Sequence, residues 1–159
     1  MSMPTEIATV GDEKVKEIRQ NMGQTLSILA AWSKTVTTSA KAMQLSLNAE
    51  IASSNRPDIK NAYAAAIIAH DNQVNVLTKN VDTIKENNIE LKKHEKKSYL
   101  KDSLKVEIKA RKLTAEITYR SAVDKQQAYI DEVHGLLNGV GLINEANTWR
   151  TNMKNDTSG

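Results

Sequence analysis

The chain has 159 residues, 40% of them apolar and 26% charged, with a formal net charge of +3 and neither Cys nor Phe. That length suits one domain, and the composition excludes collagen-like, disulfide-stapled and wholly disordered chains. Without Cys there are no disulfides, thiolate metal sites or thiol nucleophiles, and six aromatics in all make a deep aromatic-walled cofactor pocket unexpected.

Residues 1–11 read as a flexible segment with neither a basic n-region nor an apolar h-region. Cytoplasmic residence is the default expectation, with export by a route that needs no cleaved signal left open. No run approaches the roughly 20 apolar residues that cross a bilayer.

Pro occurs only at Pro4 and Pro57, and neither Pro nor Gly falls between Pro57 and Gly135. Sheet domains rarely manage such a span without turn residues. The first predicted helix covers 12–54. Its stripe is Ile18, Met22, Leu26, Leu29, Val36, Ala40, Met43, Leu47 and Ile51. Ile18, Leu29, Ala40 and Ile51 recur every eleven residues, a period near 3.67 that suits a straight or slightly right-handed helix.

Ser53 to Asp58 is a stop followed by a start, since Pro57 fits a first helical turn and Asp58 complements the helix dipole. So short a connection turns the second helix, 57–96, back along the first. It carries two seven-residue series: Tyr63, His70, Leu77, Ile84 and Leu91, and Ile67, Val74, Val81 and Asn88. Polar and capping residues gather between Lys96 and Ser103 and predict a break there. The third helix covers 102–138 with a stripe of Leu104, Ile108, Ala115, Tyr119, Ala122, Ile130, Val133 and Leu137.

Residues 104–119 also alternate strictly. Leu104, Val106, Ile108 and Ala110 are followed by Leu113, Ala115, Ile117 and Tyr119, a pattern that also admits a β-hairpin turning at Arg111-Lys112. That turn lacks Gly, Asn, Asp and Pro, and the Lys, Glu, Ala and Arg content favours helix. Asn138-Gly139-Val140-Gly141 reads as a helix stop. Leu142, Ala146, Trp149 and Met153 then share one face of a short docking helix, 142–153, before a frayed tail at 154–159. The expected fold is all-α: an elongated antiparallel three-helix bundle of long helical hairpins with a short C-terminal amphipathic helix.

Candidate chemistry is sparse. His70 is the ionisable side chain best placed for burial, and Asn88 occupies a seam position where a buried amide fixes register. Asp131 with His134 is one imperfect half of a di-iron motif, and no cofactor or metal is expected. Gly139-Val-Gly141 follows a helix and lacks the third glycine of a dinucleotide loop. No nucleophile elbow or phosphate loop is visible, so a non-enzymatic chain without a small-molecule substrate is expected.

The sharper signal is basic. Between Leu91 and Lys112 nine cations face three acids, and the best-placed lysines for an anionic partner are Lys92, Lys93, Lys96, Lys97 and Lys101. An anionic membrane surface is one possible partner. Nucleic acid is less expected, because Lys outnumbers Arg seventeen to five and Tyr99 is the lone aromatic in the stretch. Arg56-Pro57-Asp58-Ile59-Lys60-Asn61-Ala62-Tyr63, between two long helices, resembles the hairpin turn of type III secretion needle subunits over those eight residues. The resemblance implies helical-hairpin packing, with an exported helical subunit of a secretion or pore-forming assembly as one functional alternative. The leading expectation is a helical scaffold or adaptor that binds a protein partner, or itself, through helix faces.

Overall fold

The computed structural model describes residues 12–95 and 101–158. The segment expected to be flexible, 1–11, lies outside the described residues, as do Lys96 and Lys97. Four α-helices are present: α1 (Asp12–Ser46), α2 (Pro57–Lys92), α3 (Asp102–Asn138) and α4 (Ile143–Ser158). A π-helical turn, Leu47–Ile51, follows α1 and closes with Ala52 N–H donating to the Leu47 carbonyl at 2.8 Å. The three long helices pack against one another as an antiparallel bundle and α4 follows; no strand occurs among the described residues. Residues 104–119 are helical throughout, because the Arg111-Lys112 pair offers no positive-φ residue for a tight hairpin.

The chain divides into two compact units. Unit 1 comprises the chain up to Ala30 together with Thr78–Ala122, and unit 2 comprises Ala31–Leu77 with Val123 onward. In unit 1 the core is Val15, Ile18, Met22 and Leu29 of α1, Ile84 and Leu91 of α2, and Ile108, Ala115 and Ala122 of α3. In unit 2 it is Trp32, Val36 and Met43 of α1, Ala62, Ala66, Ala69 and Leu77 of α2, Tyr129, Ile130, Val133 and Leu137 of α3, and Ala146 and Met153 of α4.

The inward face of α1 departs from the eleven-residue reading. Val15, Met22, Leu29, Val36 and Met43 recur every seven residues and are buried, whereas Ala40 and Ile51 are only half-buried. The second series of this heptad is Ile18, Thr25, Trp32 and Ser39. Thr25 is tolerated there because its hydroxyl donates to the Asn21 carbonyl one turn back, at 3.0 Å, so no unpaired polar group is buried.

On α2 the series His70, Leu77, Ile84 and Leu91 is fully buried. The companion series Ile67, Val74, Val81 and Asn88 is only half-buried. Its place on the inward face is shared with polar side chains. In unit 2, Gln73 Nε2 donates to Gln126 Oε1 of α3 at 2.7 Å. In unit 1, Asn87 Oδ1 accepts from Arg111 of α3 at 3.2 Å.

Helix α3 ends through its glycines. Leu142 N–H donates to the Leu137 carbonyl and Gly141 N–H to the Asn138 carbonyl, both at 3.1 Å, while Gly141 takes φ 85°. This is a Schellman stop, and a side chain at Gly141 would be strained in that left-handed conformation. The chain then re-enters α4, whose apolar face buries Ala146 and Met153 and half-buries Trp149.

Candidate functional site

In unit 2 side chains of α1, α3 and α4 converge on His70 of α2. Its Nδ1 lies 2.6 Å from the Ala66 carbonyl, which can only accept, so Nδ1 carries the proton. In the neutral ring Nε2 is then an acceptor, and the Ser39 hydroxyl donates to it at 2.8 Å. Trp149 Nε1–H in turn donates to Ser39 Oγ at 2.8 Å. The result is a polarised chain running from α4 through α1 to α2. The rings of Tyr129 and Trp149 meet the imidazole edge-on, with centroids at 5.1 and 5.7 Å, and meet each other at 5.9 Å. Burial holds the His70 pKa below its ordinary value, with the Ala66 hydrogen bond and the nearby Asp71 charge opposing.

A Ser hydroxyl on a His nitrogen has the pairing of a nucleophile with its base. Two features of this pair work against that chemistry. Trp149 draws on the Ser39 oxygen lone pairs, and Ser39 lies inside α1, where backbone N–H groups serve the helix ladder instead of an oxyanion. The trio ties α4 to α1 and α2. Beside it opens a groove of about 440 Å³ lined by Lys34, Thr35, Thr38, Asn152 and the edge of Trp149. Elsewhere in unit 2, His134 meets Asn147 at 2.9 Å, and Asp131 accepts from Gln127 at 3.0 Å. No group of three potential metal ligands occurs among the described residues.

Unit 1 holds the basic run. Lys92 is exposed in the last turn of α2. Lys93 pairs with Glu90 at 3.0 Å and holds that carboxyl below its ordinary range. Arg111 turns inward to Asn87 and Glu107, the latter at 3.2 Å. Lys112 is buried against Glu116 at 2.8 Å, with about 5% and 4% of the two side chains exposed. The run therefore spends two of its charges, those of Arg111 and Lys112, inside the unit. Lys101, Lys105 and Lys109 are exposed, and none meets a carboxylate among the described residues. Lys105 and Lys109, four residues apart, neighbour each other on the first turns of α3, which Lys101 precedes. Asn88 is half-buried and accepts from Arg19 Nε at 3.0 Å, and Arg19 also pairs with Glu95, so the seam amide bridges α2 to α1.

The outward face of α3 was not visible as a site in the sequence. Val106, Leu113 and Ile117 are 69%, 51% and 55% exposed, and Ala110 between them is exposed too. Steps of four, three and four place these side chains within about 60° of one another around the helix. The polarity of this stretch is mixed: the buried side carries Lys112 and Glu116 beside Ile108 and Ala115, while the solvent side carries Val106, Leu113 and Ile117. Period-two alternation hid the stripe, because Ile108 and Ala115 of the same series face inward.

No protein-family model, curated protein or solved structure matches this chain. No helix among the described residues is long and apolar enough to cross a membrane.

Proposed function

We propose that the chain is a non-enzymatic helical interaction protein that binds a partner helix through the outer face of α3. The observation that carries this reading is the stripe Val106, Ala110, Leu113 and Ile117, contiguous and exposed on a helix whose opposite side is already packed. Scattered exposed hydrocarbons are ordinary on any surface, but a row at helical spacing is the form in which one helix receives another. The absence of a nucleophile motif from the sequence and the structural use of Ser39 and His70 support a non-catalytic role.

The reading is tested with a displayed library of amphipathic helices. Selection against the wild-type chain should enrich helices that lose binding to a Leu113→Asp, Ile117→Asp variant of unchanged helicity. A selection yielding only binders indifferent to those changes would overturn it.

A further inference from the structure

We infer that the partner helix received by this face is acidic, an inference that rests on the helix-docking reading above. The stripe has unlike borders. Lys105 and Lys109 run along one side, both exposed and without a carboxylate among the described residues. Glu107 and Thr114 lie along the other side, where Glu107 already accepts from Arg111 at 3.2 Å. An incoming helix that covers the hydrocarbons brings its own border residues against the lysine row. Carboxylates there convert these two solvated ammonium groups into interhelical ion pairs, whereas lysines there would repel.

A second copy of this chain meets the row poorly. In the antiparallel self-pairing that sets Val106 against Ile117 and Ala110 against Leu113, Lys109 meets the position of Glu116, whose carboxylate is already buried against Lys112. In the parallel pairing Lys109 faces the neutral Thr114. A lipid surface fits less well, because interfacial helices present a broad apolar face with aromatic anchors. This stripe is about one side chain wide and purely aliphatic. From Val106 to Ile117 it spans about 16 Å, three turns, which sets the length of helix it can hold.

The test uses the full chain and two synthetic helical peptides of about 18 residues. Both carry Leu at i, i+4, i+7 and i+11, one with Glu and the other with Lys at the flanking positions. Binding is followed by fluorescence anisotropy at low and high salt. The acidic peptide should bind at least about tenfold more tightly, and the difference should shrink as salt screens the pairs. Lys105→Glu with Lys109→Glu should reverse the preference, and Leu113→Asp should abolish both complexes without shifting the melting temperature. Equal affinities, or tighter binding of the basic peptide, would overturn the acidic partner and leave helix docking standing. Failure of both peptides would overturn both readings. Sedimentation showing a dimer that Leu113→Asp dissociates would assign the face to a second copy. Lysine-dependent binding to vesicles of about 30% phosphatidylserine without peptide binding would assign it to a membrane.

Discussion

The two units use their polar groups in opposite ways. Around His70, unit 2 buries an imidazole, a serine and an indole N–H whose donors and acceptors match one another across three helices. Unit 1 buries a lysine and a glutamate one turn apart on α3 beside Ile108 and Ala115, and leaves Val106, Leu113 and Ile117 of the same helix outside. A matched hydrogen-bond chain fixes how helices meet at little net cost, because every buried group keeps a partner. A buried ion pair yields less, since desolvation of both charges consumes most of their attraction. The His70 network of unit 2 therefore fixes how its helices meet. In unit 1, α3 packs one apolar side and keeps a second, outer one reserved for something else.

The largest expected effect comes from splitting the buried pair. Glu116→Leu should destabilise the chain by about 3–5 kcal/mol if Lys112 stays buried. Adding Lys112→Met should recover most of that loss or exceed it. Urea unfolding of both variants measures the contrast, and a harmless single change would show that Lys112 reaches solvent readily. Leu77→Ala, in the core of unit 2, should cost about 2–5 kcal/mol, since Leu77 is fully buried. Leu113→Ala should stay within about 0.5 kcal/mol, because that side chain is already half in water.

Smaller changes sharpen the account of unit 2. Trp149→Phe keeps most of the ring packing and deletes the hydrogen bond to Ser39, so a loss of about 1 kcal/mol is expected in thermal or urea melts. Tyr129→Phe should be neutral or stabilising by about 1 kcal/mol, since the buried Tyr129 hydroxyl has no partner among the described residues. The pH dependence follows from His70. Its folded pKa lies below its unfolded value, so the two states bind protons equally well above about pH 7. As pH falls through the unfolded value near 6.5, the unfolded chain takes up a proton that the folded chain refuses, and stability declines until the folded pKa is reached. Melting temperatures between pH 7.5 and 5 should show that decline, and His70→Leu should flatten it.

Much of the architecture was legible because periodicity and punctuation agreed. The His70, Leu77, Ile84, Leu91 seam stands out as a heptad, and Gly139 to Gly141 can scarcely be anything but a helix stop. What the pattern hid were inward positions held by polar residues. Thr25, Gln73, Asn87, Lys112 and Glu116 are buried through partners one turn away or on the next helix, and hydrophobicity alone does not reveal such partners. Thr25, Trp32 and Ser39 complete a seven-residue inward face on α1, and a hydroxyl at two of those positions conceals that period from a hydrophobic pattern. The link from Trp149 to Ser39 joins residues 110 positions apart, beyond the reach of local spacing. The α3 stripe had a signal, the steps of four, three and four from Val106 to Ile117. It was masked because Ile108 and Ala115 complete an equally good helical face on the other side.

The most direct test of a reserved outer face is paramagnetic relaxation of side-chain methyls by a soluble gadolinium chelate. The account predicts fast relaxation of Val106, Leu113 and Ile117 methyls in the chain alone and slow relaxation of Leu77 and Ile84. Saturating acidic helical peptide should then protect the first three and leave the others unchanged. Methyls of Val106, Leu113 and Ile117 that are protected in the chain alone, or that stay exposed under saturating peptide, would contradict it.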